Sequence, residues 1–230
     1  MKLKLPILIF LISLMLFSGC STKPTLDEYV SELRSNCYES VQSDLPITAG
    51  YGYTEKMPSL DGEITQRTYA LIFRLKGNQN ENITYNICLN FKDKEYKSTF
   101  KLNAVSHTLT AIIPVDNFNL NEFDITLSYS STNQVIKMKS TLPKGTISYS
   151  KALEYLQKHQ SELVNSYYKN GEFYGEICAR VLVKDNHPYW YIGLTNSKGT
   201  KALLIDGKSG DVLAVRDIFW ALKKTNDFFR

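Results

Sequence analysis

The segment between Pro46 and Pro143 alternates apolar and polar residues, a period of two that is typical of half-buried β-strands. Turn-rich pieces at 77–80 and 130–133 interrupt the alternation. We therefore predict an antiparallel β-sandwich over residues 46–143, with strands at 69–75, 83–91, 96–102, 109–113, 123–129 and 136–140.

A helical period precedes this segment and predicts an amphipathic helix over residues 26–42. Thr25 and Glu28 form a capping box at its start, because each side chain can bond to the backbone N–H of the other residue. We interpret the apolar stripe as packing against the sandwich, and a stalk or a partner-binding helix is the alternative. The stripe comprises Leu26, Tyr29, Val30, Leu33, Cys37 and Val41.

The pattern changes again after a boundary at residues 142–145. Ser148 or Ser150 can cap a helix with a broad apolar face, and Gly171 follows the end of that helix. Strand-like runs then occur at residues 176–183, 189–195, 201–205 and 211–215. We expect one helix and a small antiparallel sheet at residues 146–217. The predicted fold class is therefore α+β, with an N-terminal helix, an immunoglobulin-like sandwich that lacks the usual Cys/Trp core, and this smaller unit.

Charge and composition narrow the classes of function. The chain has 27 basic and 23 acidic residues, which are interspersed, and it has no block of Lys or Arg. This balance argues against a nucleic-acid partner. With 43% hydrophobic and 12% aromatic residues, the chain has the composition of folded modules. No apolar run after Cys20 is long enough to span a bilayer.

The N-terminus resembles the signal of a bacterial lipoprotein. Lysines precede an apolar run from Leu5 to Phe17, and the sequence Phe-Ser-Gly-Cys at 17–20 resembles the lipobox. The resemblance implies that residues 1–19 are a signal peptide and that Cys20 carries a diacylglycerol, for which palmitate is a typical acyl chain. An ordinary signal peptide is the alternative. We expect residues 20–45 to form a tether and the N-terminal helix, and the mature chain to be lipid-anchored on the extracytoplasmic face of the cell membrane.

The C-terminal unit resembles the PepSY domain. The resemblance rests on the helix near Ser148, the strand at 189–192 and the hairpin at 204–213, where Asp206 and Gly210 fall on the family's Asp and Gly positions. We expect Gly210 to adopt a positive φ and Asp206 to accept backbone N–H groups across the turn. Such domains occur in protease propeptides and surface lipoproteins. The resemblance therefore implies a non-catalytic module that binds or restrains a secreted peptidase or a cell-wall hydrolase.

We expect no catalytic residues, no metal site and no cofactor apart from the lipid on Cys20. The three histidines lie in separate segments, and neither HExxH nor GxSxG is present. An acid–base pair of His187 and Asp185 is the alternative. The remaining cysteines are interpreted as small hydrophobic residues, while a Cys37–Cys88 disulfide and a Cys–His metal site stay open; these cysteines are Cys37, Cys88 and Cys178.

Two aromatic clusters supply the candidate partner-binding residues. Tyr189 and Tyr191 lie on one face of their predicted strand, and Trp190 lies on the other face and enters the core. Residues 218–230 form an aromatic and basic tail, in which Phe219 and Trp220 either dock on the chain or contact a membrane or partner.

Together with the two resemblances, these observations lead us to expect a non-catalytic binding lipoprotein on the cell surface, for which the PepSY resemblance implies a secreted peptidase or cell-wall hydrolase as the protein partner. The alternative is an immunity or sequestration lipoprotein that binds a small peptide or antimicrobial. An enzyme that uses Asp185, His187 or the cysteines is a third hypothesis.

Overall fold

A computed structural model describes residues 25–55, 65–75, 83–103 and 107–218 of the protein. Strands hold 61% of these residues and helices 11%, so the predicted α+β class is wrong and the protein is mostly β. The strands are β1 (Val30–Ser40), β2 (Ile47–Glu55), β3 (Arg67–Leu75), β4 (Tyr85–Phe91), β5 (Lys94–Thr99), β6 (Lys101–Asn103), β7 (Thr108–Pro114), β8 (Glu122–Tyr129), β9 (Thr132–Ser140), β10 (Tyr168–Lys169), β11 (Glu172–Phe173), β12 (Glu176–Lys184), β13 (His187–Asn196), β14 (Gly199–Asp206) and β15 (Val212–Ile218).

The predicted N-terminal helix is wrong. A single 3-10 turn, Leu26–Tyr29, leads directly into β1. The cap signal itself is present, since the Thr25 backbone N–H donates to Glu28 Oε1 at 3.3 Å. The cap therefore starts a helical turn that the next residues, beginning with the β-branched Val30, do not continue.

Two irregularities in β1 explain why its sequence has a helical period. The pairing of β1 shifts register between Val30 and Glu32 and again between Arg34 and Asn36. A bulge adds one residue to a strand and so moves the next inward-facing position by one. Val30 and Leu33 are consequently both buried although they lie three residues apart, which is the spacing of a helix stripe.

β1 also joins parts of the chain that the sequence analysis assigned to separate units. It pairs in parallel with β12 and antiparallel with β2 and β9. The result is a single curled sheet of 13 of the described strands. Nine of them follow the order β15-β14-β13-β12-β1-β2-β3-β7-β6. The other four form a branch at β1, in which β9 pairs with β1 and β8, β4 and β5 follow in that order. The predicted immunoglobulin-like sandwich and the separate helix-plus-sheet arrangement after it are therefore both corrected to one continuous sheet.

Two clusters of buried side chains lie against this sheet. The first is formed by side chains of β2, β3, β4, β7, β8 and β9 and by Tyr38 of β1, with Phe100, Val115 and Phe118 from the segments between strands. The second lies between the helices and strands β12–β14, and its largest buried side chain is Trp190. Val30 and Leu33 of β1 belong to the second cluster, so β1 supplies side chains to both.

Two consecutive helices, α1 (Tyr149–His159) and α2 (Ser161–Asn165), cover the second cluster. Ser148 is the N-cap of α1, and its Oγ accepts the Lys151 backbone N–H at 3.2 Å. The Trp190 indole N–H donates to the Ile147 carbonyl at 3.0 Å and ties the start of α1 to β13. Among the described residues, no helix has the length and apolar character needed to cross a membrane.

Candidate functional site

The side of β12 and β13 that faces away from α1 carries the predicted tyrosines. Because side chains alternate along a strand, Trp190 points into the second cluster while Tyr189 and Tyr191 point to the opposite side. Arg180 and Leu182 lie directly across from Tyr191 and Tyr189 in the neighbouring strand. We call the surface formed by Arg180, Leu182, Tyr189 and Tyr191 the tyrosine face. This face combines the two tyrosine rings with the positive charge of Arg180. The Leu182 side chain is 46% exposed.

An ion-pair network fixes one end of the tyrosine face. Glu32 accepts from Arg180 at 3.0 Å and lies 3.3 Å from the Arg34 guanidinium. Arg34 also donates to the Leu33 and Tyr53 carbonyls at 2.7 and 2.8 Å. The single carboxylate of Glu32 thus bridges β1 and β12, where the two strands run parallel. This network holds the Arg180 side chain beside Tyr191.

A small concavity of about 270 Å³ adjoins the tyrosine face between β12 and strands β1–β3. Basic side chains outnumber acidic ones among its charged lining residues, which are Glu32, Arg34, Glu39, Arg74 and Arg180. Its volume is close to the lower limit of small-molecule sites and suits one inserted side chain. The excess of positive charge favours an acidic one.

Cys178 lies on the same side of the sheet, opposite Gly193. Burial raises the pKa of the Cys178 thiol to about 11, and the nearby Glu32 carboxylate acts in the same direction. A thiol with this pKa is protonated at neutral pH and is a weak nucleophile. Each of the described cysteines, Cys37, Cys88 and Cys178, is a free, half-buried thiol, so the structure contains no Cys37–Cys88 disulfide.

At its other end, the tyrosine face meets the hairpin between β14 and β15. The His187 ring lies 4.8 Å from the Tyr189 ring, and its Nε2 is 2.7 Å from Asp206 Oδ2. Asp206 Oδ1 accepts the Lys208 and Ser209 backbone N–H groups at 2.8 and 2.9 Å. The expected side-chain cap of the turn is therefore confirmed. The alternative pairing of His187 with Asp185 is wrong, because His187 turns towards β14 instead.

Replacing Asp206 by asparagine is expected to remove a pH-dependent part of the stability. The Ser209 and Lys208 N–H groups and the His187 ring lower the pKa of Asp206 from 3.8 to about 2. A carboxyl whose folded-state pKa is depressed stabilises the fold fully above pH 3.8, and this contribution is lost as the pH falls towards 2. We expect Asp206→Asn to lower the free energy of unfolding by about 1 kcal/mol at pH 7 and by progressively less below pH 4. Urea unfolding of both proteins at a series of pH values measures this difference in free energy. A difference that stays the same between about pH 7 and pH 2 would contradict the prediction.

A larger groove lies at the helical side of the molecule, away from the tyrosine face. It has a volume of about 870 Å³ and is enclosed by α1, the 3-10 turn and the β10–β11 hairpin. Its apolar wall comes from Leu26, Leu153 and Tyr168. The sequence analysis missed this groove because it is built from three short segments that are distant in the chain. It also missed Glu32 and Arg34, because β1 was predicted to be a helix.

Several predicted functional residues lie outside the described part of the chain. These are the lipidation residue Cys20, the signal peptide at 1–19, and the aromatic residues Phe219 and Trp220 of the tail. Ile218, the predicted first residue of the tail, ends β15 and is 43% exposed. Within residues 25–55, 65–75, 83–103 and 107–218, no three acidic, histidine or cysteine side chains converge in a way that could hold a metal ion.

Comparison with known proteins gives no relative for this chain: no protein-family model, no curated protein and no solved structure matches it.

Proposed function

We propose that this protein is a membrane-anchored, extracytoplasmic lipoprotein without catalytic activity that binds or restrains a secreted peptidase or a cell-wall hydrolase. The observation that carries the proposal is the tyrosine face, with its adjoining positively charged concavity. Aromatic side chains with a polar end and ion-paired arginines are enriched where proteins bind one another.

The tyrosine face offers two kinds of contact. Tyr189, Tyr191 and Leu182 supply apolar area that a partner can cover, and rigid aromatic rings lose little conformational entropy on binding. The concavity beside Arg180 accommodates one acidic side chain of the partner. Its negative charge balances the excess of arginines over glutamates in the lining of the concavity. A partner segment that places an acidic residue next to apolar ones matches this surface.

The cellular location in this proposal depends on the resemblance of residues 17–20 to a lipobox, with Cys20 as the lipidated residue. The module assignment depends on the resemblance to PepSY domains. The turn that carries this resemblance has the geometry that its sequence favours, with Gly210 at a φ of +83° and the Asp206 side chain bonded across the turn. The binding role in this proposal is based on the partly exposed tyrosine face, and the restraint of an enzyme is based on the resemblance.

Site-specific photocrosslinking in the native cells tests the proposed partner. A photoreactive residue at position 191 is expected to capture a peptidase or wall hydrolase, whereas one at Tyr96 of β5, also a half-buried tyrosine, is expected to capture neither. In the same cells, Arg180→Glu is expected to lower the captured amount about tenfold, because it places a negative charge where the partner's acidic side chain binds. Mass spectrometry of the same samples shows whether Cys20 carries the lipid.

Other results would contradict the proposal in different ways. Equal crosslinking from positions 191 and 96 would show that the tyrosine face is not the binding surface. Capture from position 191 of proteins that are neither peptidases nor wall hydrolases would reject the partner class. A Cys20 peptide without lipid would reject the membrane anchor but leave the binding surface intact.

The second candidate function is sequestration of a small peptide at the cell surface. The observation that favours it is the groove beside α1, since its volume of about 870 Å³ falls in the range of sites that enclose small ligands. In this case, crosslinking from Gln157 in the groove, and not from position 191, would recover a peptide.

A further inference from the structure

The groove beside α1 has an apolar wall and a charged rim. Leu26 and Leu153 are almost fully buried at its base, and Tyr168 forms one side. The charged lining residues are Asp27, Glu154 and Lys158, and Glu154 is also paired with Lys151 of α1 at 2.8 Å. A segment with large apolar side chains followed by basic ones is complementary to a groove of this kind.

The sequence of the chain continues beyond β15 with such a segment. The last described residue of β15 is Ile218, and the sequence continues with Phe219-Trp220-Ala221-Leu222-Lys223-Lys224. Residues 219–230 contain four large aromatic side chains, three basic residues and one acidic residue. The basic residues of this segment can approach the carboxylates of Asp27 and Glu154 at the groove rim.

Tyr167 connects the neighbourhood of the groove to the end of β15. Its hydroxyl donates to the Leu194 carbonyl at 2.8 Å, Leu194 of β13 pairs with Lys201 of β14, and Lys201 pairs with Asp217 of β15. Asp217 forms an ion pair with Lys201 of β14. Burial is the main cause that raises the pKa of Tyr167, and the Asp217 carboxylate acts in the same direction. Tyr168, the next residue, lines the groove. A segment of 12 residues spans up to roughly 40 Å when extended, which exceeds the two strand spacings of about 5 Å each and the one tyrosine side chain that separate β15 from the residue before Tyr168. The tail can therefore reach the groove from Ile218 without any rearrangement of β15.

We propose that the groove formed by α1, the 3-10 turn and the β10–β11 hairpin is the binding site for residues 219–230 of the same chain, with Trp220 or Phe219 as its apolar anchor. The groove then holds an internal ligand, and an external peptide with the same aromatic–basic pattern competes for it. This proposal is independent of the lipid anchor and of the partner of the tyrosine face.

Trp220 is a direct probe of this contact in the full chain. The only other tryptophan is Trp190, so the emission of the protein minus that of a Trp220→Phe variant isolates the signal of Trp220. We expect this signal to be blue-shifted and several-fold less accessible to acrylamide than in the unfolded chain. Gln157→Phe, which fills the groove from α1, is expected to expose Trp220. Lys137→Phe on the exposed side of β9 adds the same aromatic ring elsewhere and is expected to leave Trp220 protected.

Competition provides the second arm of the experiment. A synthetic peptide of residues 219–230 that carries Phe at the position of Trp220 is expected to increase the quenching of Trp220 in the full chain. The buried Trp190 reports in parallel that each variant is folded. The proposal is overturned if Trp220 is freely quenched in the wild type, or if Gln157→Phe leaves it as protected as Lys137→Phe does. Protection that appears only with added lipid vesicles, or only at high protein concentration, also overturns it and assigns the tail to a membrane or to a second copy.

Discussion

Gly52→Ala is expected to lower the free energy of unfolding by about 3–5 kcal/mol, a large part of the stability of an ordinary domain. A Cβ at position 52 would lie 1.8 Å from the Leu33 carbonyl oxygen and 2.6 Å from the Leu33 carbonyl carbon. Both are backbone atoms of the adjacent strand, so no side-chain rotation can relieve the overlap. β1 and β2 must separate at this point, where Leu33 pairs with Tyr53 and its carbonyl oxygen also accepts from Arg34.

Gly50→Ala is the matched control for this prediction. Position 50 lies in the same strand, two residues away, but a Cβ there would meet only Arg34 Cδ at 3.7 Å and the Asn36 carbonyl oxygen at 3.9 Å, which are ordinary contacts. We expect its free energy of unfolding to stay equal to the wild type or to rise by about 0.5 kcal/mol, because alanine has less backbone freedom in the unfolded chain. Urea denaturation of the three proteins measures the difference. Equal midpoints for the two variants would contradict the backbone overlap.

Gly52 lies close to the candidate site, so the Gly52→Ala variant affects the site as well as the stability of the fold. Of the two strands that it keeps in contact, β1 carries Glu32, which pairs with Arg180 of the tyrosine face, and Arg34, which pairs with Glu32. Any separation of β1 from β2 therefore disturbs the concavity where we propose that the partner's acidic side chain binds.

Strands with regular alternation are the part of the fold that the sequence predicted well. The rows of apolar residues at 69–75, 83–91, 109–113, 123–129 and 136–140 coincide with β3, β4, β7, β8 and β9. These strands bury one side against the first cluster, and a period of two follows directly from that one-sided burial. A period of two does not indicate which strands are neighbours in a sheet. One curled sheet and a two-sheet sandwich are therefore equally compatible with it.

β1 shows why the remaining architecture was mispredicted. Its bulges give Val30 and Leu33 the spacing of a helix, and its first part faces one cluster while Tyr38 belongs to the other. Periodicity assumes that a segment packs one face on one core, and β1 does not. Because β1 connects the two clusters, its misassignment also produced the separate sandwich and C-terminal unit.

The candidate site was predictable only where it depends on local alternation. The sequence placed Tyr189 and Tyr191 opposite Trp190, and the structure confirms this, with Trp190 only 2% exposed. The partners of those tyrosines come from other strands through tertiary pairing. Arg180 lies across from Tyr191 in a hairpin, but Glu32 reaches the site only through the parallel pairing of β1 with β12, whose residues are more than 140 positions apart.

The other prediction with a large effect concerns the hairpin turn beneath α1. Gly210→Ala is expected to lower the free energy of unfolding by roughly 2–4 kcal/mol, from two separate causes. The φ of Gly210 is +83°, which is unfavourable for any residue with a Cβ. In addition, a Cβ there would lie 2.2 Å from Cδ2 and 2.6 Å from Cγ of Tyr155, so the ring of Tyr155 would have to leave the turn.

A pair of reference variants separates the two causes. Gly145 has a φ of +80° and no atom within 4 Å of its added Cβ, so Gly145→Ala measures the backbone cost alone, which we expect to be about 1 kcal/mol. In a Tyr155→Ala background the overlap at position 210 is absent, and Gly210→Ala is then expected to cost no more than Gly145→Ala does. The coupling between positions 155 and 210 in this double-mutant cycle is expected to be about 1–3 kcal/mol. A coupling near zero would mean that the Tyr155 ring of α1 does not pack on the turn at Gly210.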